Sequence, residues 1–195
     1  MPAKGERTRE EIIQQAAVVF NRQGFAGASI SDIMRETGLE KGGIYNHFAS
    51  KEDILAAVMI ERNPYQDIVP ALEAAQGETA EELVRNAAAG MLAALENRPD
   101  DLQLMFIEIV EFKGQHMPQL FESLFPRMIG FAQRLIQVNG DLRPIPPPTL
   151  LRAFVGFFFA YFMTEWLLGN QFPSESRQGA FGHFVDIYLH GVLKR

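Results

Sequence analysis

Cysteine is absent from these 195 residues. Disulfides, thiol catalysis and cysteine–zinc sites are therefore excluded, and the composition fits a reducing compartment. Strand patterning is missing too, since no segment alternates apolar and polar residues convincingly. There is no phosphate-cradling glycine loop, dinucleotide fingerprint or nucleophile elbow to carry the corresponding chemistries. The four histidines, His47, His116, His183 and His190, are scattered. Asp186 lies three residues after His183 and four before His190, a spacing that a solvated stripe on one helix explains better than a metal site. No enzyme activity, metal or cofactor is expected.

Positive charge is also scarce, with 18 Lys and Arg against 24 Asp and Glu for a net charge of −6. The distribution is uneven. Residues 1–51 carry seven cations against six acids and the remainder eleven against eighteen, so the acidic excess lies in residues 52–195. A nucleic-acid partner would meet the near-neutral N-terminal part, where binding leans on geometry and on pairing of two copies more than on bulk charge. The first residues are polar and charged, with no leading apolar core, so no secretory signal is read there and a cytoplasmic location is expected. The most apolar run, Ala153 to Leu168, holds five phenylalanines. It is shorter than the roughly 20 residues a spanning helix needs and contains Glu165, so it reads as a helix buried in soluble protein, not a membrane span.

What the chain does have is helical periodicity from end to end. A first helix is expected over about Thr8–Gln23, with Ile13, Ala16, Ala17 and Phe20 on one face and a stop at Gly24. Ser29 can cap the next helix, Ile30, Ile33 and Met34 form its apolar face, and Gly38 ends it. Leu39 fills the corner, and a further helix is expected over about Glu40–Phe48 with Ile44 and Phe48 inward. That arrangement is a helix-turn-helix, and it turns Lys41, Gly42, Tyr45, Asn46 and His47 outward. Lys41 is placed to reach a base edge or a phosphate, Asn46 to read a base, and Gly42 and Gly43 to let the backbone approach a groove closely. A fourth helix begins at a capping box, Ser50 with Asp53, and Pro64 ends it after Asn63.

Beyond this point helices are expected from Thr79, capped with Glu82, to Asn97; from about Asp100 to Lys113; and from Pro118 to Asn139–Gly140. Arg143–Pro148 reads as a stiff connector, followed by helices over Thr149–Gly169 and Ser176–Leu193. Nine or ten helices result. Phe154, Phe157, Phe158, Tyr161, Phe162 and Trp166 cover too much of one helix for a monomer to bury. With Phe181, Phe184, Val185 and Tyr188 of the last helix they predict a four-helix, twofold homodimer interface, which Gly156 and Ala160 allow to close tightly.

The segment TGLEKGGIYNHFASKEDIL resembles the DNA-binding signature of the TetR family of transcriptional repressors, and the likeness covers roughly the first 55 residues. The resemblance implies an all-α fold with a three-helix helix-turn-helix head (residues 1–51) and a larger helical effector-binding and dimerisation bundle (residues 52–195). It implies phosphate contacts by Ser29, Tyr45, His47 and Lys51, a palindromic double-stranded operator, and release by a small molecule. Glu40 and Gly43 depart from the pattern, the first removing a cap and adding an acid, the second removing a contact. The effector site that the family implies would be lined by Met91, Leu95, Met105, Phe106, Ile109, Phe112, His116, Met117, Phe121, Phe125 and Met128. Such a lining suits an apolar or amphipathic ligand, with Glu108, Glu111, Gln115, His116 and Arg134 as candidate polar anchors. The alternative reading is a DNA-bound structural or cell-division factor with the same head and no effector.

Overall fold

The computed structural model of the chain describes residues 4–96, 99–138, 142–177 and 179–193. Its elements are α1 (Lys4–Gly27), α2 (Ile30–Thr37), α3 (Lys41–Tyr45), α4 (Lys51–Glu61), α5 (Tyr65–Ala74), α6 (Ala80–Glu96), α7 (Pro99–Glu111), α8 (Met117–Gln137), α9 (Pro147–Leu168), a 3-10 turn (Gly169–Gln171), α10 (Ser174–Arg177) and α11 (Ala180–Val192). The fold is all-α, and extended backbone among the described residues amounts to one bridge between Leu142 and Leu193.

Two helices were not anticipated. Pro64 and Pro70 bracket α5 and read as breakers, yet Pro70 sits inside the helix, which simply forgoes the N–H that would have bonded Gln66. The expected last helix is two, α10 and α11, because Gly179 adopts the left-handed conformation at φ 77°. The third helix is shorter than expected, Lys41–Tyr45, with Asn46 and His47 in a turn. Two adjacent glycines lower its helix propensity by about 1 kcal/mol each. The helix ends expected at Asn97 and Asn139–Gly140 lie outside the described residues.

Two compact units are present. The first comprises residues 1–66 and 98–122, the second residues 67–97 and 123–195. The first unit is therefore larger than the head expected over residues 1–51, because α7 and the start of α8 pack with it. Its core is built from Ile12, Ile13, Ala16 and Phe20 of α1, Ile33 of α2, Ile44 of α3, Ile54, Leu55 and Val58 of α4 and Leu104 of α7, each essentially inaccessible to solvent.

The second unit is organised by aromatic rings. Phe154 packs on Phe131 (4.9 Å between ring centres), on Phe158 (4.7 Å) and on Tyr188 (5.5 Å). The Tyr188 hydroxyl donates to the carbonyl of Leu150 at 3.3 Å, and burial pushes its phenol far above the ordinary range. Arg134 donates to the carbonyls of Leu72, Glu73 (3.1 Å) and Ala75 (3.0 Å), which end α5. It is a helix cap and not a ligand anchor.

The aromatic set expected at a twofold interface is divided by this packing. Phe154, Phe158, Phe162, Val185 and Tyr188 are buried within the single chain, while Phe157, Tyr161, Phe181 and Phe184 are half-buried and Trp166 is exposed. Residues already covered by their own chain are core, which corrects the expectation for those five. A different face of α9 is open, carrying Ala153, Gly156, Ala160, Thr164 and Leu167. By length and composition, residues 147–171 satisfy the requirement for a membrane span, with a mean hydropathy of 1.3 and 22% of the most apolar window buried. That makes the helix longer and more exposed than its sequence run implied.

Candidate nucleic-acid interface

The local chemistry of the head follows from its capping. Ser29 Oγ accepts from the Asp32 N–H (3.2 Å) and Asp32 Oδ2 accepts from the Ser29 N–H (3.0 Å), so the capping box at the start of α2 is complete. The Ser29 hydroxyl also donates to the Asp32 carboxylate, and this bond, together with Arg35 at 2.7 Å, holds the Asp32 carboxyl below its ordinary range. Gly38 ends the helix at φ 68°, and a Cβ there would meet no neighbouring atom, so backbone conformation alone selects glycine. The Thr37 hydroxyl donates to the Ile33 carbonyl (2.9 Å) and accepts from the Leu39 N–H (3.3 Å), which fixes the turn.

The next helix, α3, is anchored by Ile44, fully buried, and by Phe48 just after it. Everything else on it faces outward. Lys41, Gly42, Tyr45 and Asn46 are exposed, and Gly43 and His47 are partly so. The ammonium of Lys41 lies 5.7 Å from the centre of the Tyr45 ring, one turn away, which stations a cation over an aromatic face. Open space surrounds the Cα of Gly42, while a side chain at Gly43 would rest on Leu39 at 3.5 Å. Glu40 occupies the N-cap and makes no side-chain cap bond, as its departure from the Ser/Thr pattern implied.

Seven of the eight expected DNA-binding residues thus share one side of the head in sequence-local order, beginning at Ser29 and running through His47. Lys51 is placed differently. Its ammonium donates to the carbonyls of Phe25 (2.7 Å) and Ala28 (2.8 Å) and sits 4.1 Å from the Phe25 ring centre. Two of its three hydrogens are spent inside the unit, leaving one donor for an outside partner.

Sequence reasoning missed the residues that brace this corner. Glu111, at the end of α7, accepts from the N–H groups of Phe25 (3.2 Å) and Ala26 (3.1 Å), which the bend at Gly24 has freed. Phe25 stacks between Phe20 (5.5 Å) and Phe112 (4.7 Å), and Phe112 packs on His116 (5.5 Å). His116 in turn closes on Glu108, which is wholly buried: its N–H reaches Oε1 at 2.7 Å and its Nδ1 stands 2.8 Å from Oε2. Glu108, Glu111 and His116 are thereby committed to structure, although the sequence offered them as ligand anchors. No local signal marks these bonds, since Glu111 is 85 residues or more from its partners.

The residues expected to line an effector site fall in both units. Met105, Phe106, Ile109, Phe112, His116, Met117 and Phe121 belong to the first, and Met91, Leu95, Phe125 and Met128 to the second. Met91, Leu95, Met105 and Met128 are buried, while Ile109 and Phe121 are exposed. A cavity of about 170 Å³ in the second unit is lined by Ala75, Gln76, Gly77, Leu83, Arg134, Gln137 and Val138, none of them in the expected set. The Asp186 carboxylate bonds Arg85 at 2.7 Å, and His190 Nδ1 lies 2.7 Å from the Asp186 carbonyl, so that stripe is a surface network.

Comparison with known proteins agrees with this geometry. Residues 12–58 match the description of bacterial regulatory proteins of the tetR family. The chain is 30% identical over 137 residues to the HTH-type transcriptional regulator SrpR of Pseudomonas putida, spanning 69% of this chain and 59% of that protein. It is 29% identical over 137 residues to TtgW of Pseudomonas putida, an HTH-type transcriptional regulator, over 93% of that protein's length. To the A-factor receptor protein of Streptomyces griseus it is 43% identical over 60 residues, or 22% of that protein. The chain thus spans less than two thirds of two of these relatives. Among solved structures, a TetR transcriptional regulator from Chloroflexus aurantiacus superimposes with a TM-score of 0.70 at 25% identity, covering 98% of this chain and 99% of that one. NalD, the secondary repressor of the MexAB-OprM multidrug efflux pump in Pseudomonas aeruginosa, shares the fold, with a TM-score of 0.69 at 16% identity over 98% of this chain and 99% of that one.

Proposed function

This chain belongs to the tetR family of bacterial regulatory proteins, and we propose that it represses transcription as a homodimer bound to a palindromic operator. The observation that carries the proposal is the exposed face of α3, with Lys41 held over Tyr45 on a five-residue helix fastened from behind by Ile44. Such a helix presents donors and a bare glycine backbone to the major groove while its base stays fixed. Lys41 and Asn46 contact base edges, Gly42 and Gly43 let the backbone come close, and Ser29, Tyr45 and His47 meet phosphates. Lys51 adds its remaining donor to the phosphate set.

Two heads are needed, because a single five-residue helix reads too few base pairs for specificity. The apolar, small-residue face of α9 and the exposed Ile187 of α11 supply the surface on which a second copy docks. A second copy covers the same face whose apolarity suits a membrane, and the protein acts in the cytoplasm. Recognition helices of the pair then enter successive major grooves about 34–36 Å apart.

An apolar or amphipathic effector releases the DNA by favouring a conformation in which the heads no longer match that spacing, and its effect is limited by its differential affinity for the two states. The methionine- and phenylalanine-rich stretches of α6, α7 and α8 support this part. The test is selection of duplexes from a random library followed by gel shift. Wild type enriches a twofold-symmetric sequence, and Lys41→Ala with Tyr45→Ala abolishes the shift; retention of the shift by that variant refutes the assigned face.

A further inference from the structure

We infer that Glu111 is a positioning residue for the DNA-reading head: from the far end of α7 it caps the short turn that delivers the chain into α2. The inference rests on the function proposed above and names the contact through which the α7 end sets the head's geometry.

Gly24 is the origin. Its φ of 70° and ψ of 168° interrupt α1, so the helical turn that follows, residues 25–28, starts afresh with orphaned N–H groups. A helix start normally takes its cap from the residue just before it. Here the carboxylate of Glu111 does that work from another helix, accepting from Phe25 and Ala26. Gly24 also keeps the carboxylate close, since a Cβ at that position would stand 3.6 Å from Glu111 Oε1. The opposite end of the same turn is closed by Lys51, whose ammonium takes the carbonyls of Phe25 and Ala28. The next residue is Ser29, the N-cap of α2. An acid on one helix and a cation on another therefore grip both poles of one turn, and α2 leaves it at the angle this grip imposes.

The α7 end is itself fixed, so Glu111 is not a loose surface acid. Lys113 and Gly114 both take left-handed conformations, at φ 54° and 76°. For a lysine this is a disfavoured state that persists only when the surroundings enforce it. Enforcement converges on Glu108: its carbonyl accepts from the Phe112 N–H (3.1 Å) and the Gly114 N–H (3.1 Å), and its buried carboxylate takes His116. Hydrogen bonds tolerate little displacement, so moving the α7 end by about an ångström breaks the cap. The head loses its fixed entry angle and its match to DNA, with α3 itself untouched.

The experiment is hydrogen exchange on the full-length protein, combined with binding to a selected duplex and to random DNA, for wild type, Glu111→Ala, Glu111→Gln and Lys41→Ala. In Glu111→Ala the Phe25 and Ala26 amides exchange about tenfold faster, as loss of a charge-assisted acceptor requires. Affinity for the selected duplex falls about tenfold while affinity for random DNA is unchanged, because nonspecific binding needs phosphates and not a fixed angle. Glu111→Gln, which keeps a neutral acceptor, falls between and carries the same comparison if the alanine variant does not fold. Lys41→Ala loses DNA without altering exchange. Unchanged exchange in both Glu111 variants overturns the cap. Faster exchange with undiminished preference for the selected duplex overturns the positioning role. If wild type selects no duplex, the proposed function fails and the positioning role falls with it, while exchange still reports separately whether the cap exists.

Discussion

The ammonium of Lys51 stands 4.1 Å from the centre of the Phe25 ring and 2.7 Å from the Phe25 carbonyl oxygen, so one side chain satisfies the ring and the backbone of the same residue. A lysine at this point of the signature reads as a phosphate contact. Its first task in the fold is internal, tying the start of α4 to the turn that precedes α2.

Replacing it should therefore register in stability even without DNA. Lys51→Met keeps the apolar stem but strands two carbonyls, and an unmet buried acceptor costs about 1–3 kcal/mol. Urea unfolding should show a lower midpoint of about that size. An unchanged midpoint would mean that the contacts to Phe25 and Ala28 contribute nothing.

The capping box at Ser29 makes a prediction with a sign. Asp32 titrates below its unfolded value of 3.8, chiefly through the Ser29 hydroxyl. A depressed carboxylate contributes stability that is present above the unfolded pKa and lost as pH falls through the folded one. Ser29→Ala should cost about 1 kcal/mol near neutrality and move the Asp32 carboxyl resonance upward in an NMR pH titration. An unmoved titration would separate the cap from the shift.

Two phenols act at the other extreme. Burial raises Tyr65 and, more strongly, Tyr188 above the ordinary value of 10.0. Groups raised in the folded state contribute stability that is fully present below the unfolded pKa and lost as pH climbs above it. Tyrosinate absorbance from these two should appear only together with loss of near-ultraviolet circular dichroism. Ionisation of Tyr188 near pH 10 in a folded protein would contradict its burial against Leu150.

The exposed face of α9 and α11 predicts association. Ile187 is 60% exposed in the single chain, so Ile187→Asp should leave monomer stability nearly intact. Sedimentation equilibrium should show dimer dissociation at about tenfold or more lower dilution than wild type. Equal association of the two proteins would place the interface elsewhere.

The parts legible in the sequence are those whose partners lie within a turn or two. Ser29 with Asp32, the left-handed Gly38, and the Ile33–Ile44 brace are local, so spacing alone located them. Prolines misled where position decided their effect, and α5 was missed for that reason. Gly179 split the last helix although apolar periodicity runs across it. Periodicity also reports that a face is buried without saying by what, and so Phe154 and Phe158 were assigned to a partner when Phe131 and Tyr188 of the same chain cover them. The Glu111 cap had no local trace at all, because its geometry arises only once α7 folds onto the α1 bend.

The most direct measurement is the stoichiometry and symmetry of the selected complex, read by sedimentation of the protein on duplexes enriched from a random library. The account predicts whole dimers on each duplex, on a twofold-symmetric site whose half-site centres lie one helical turn apart, about 34–36 Å. A single chain bound to an asymmetric sequence, or enrichment no better than bulk DNA, would contradict it.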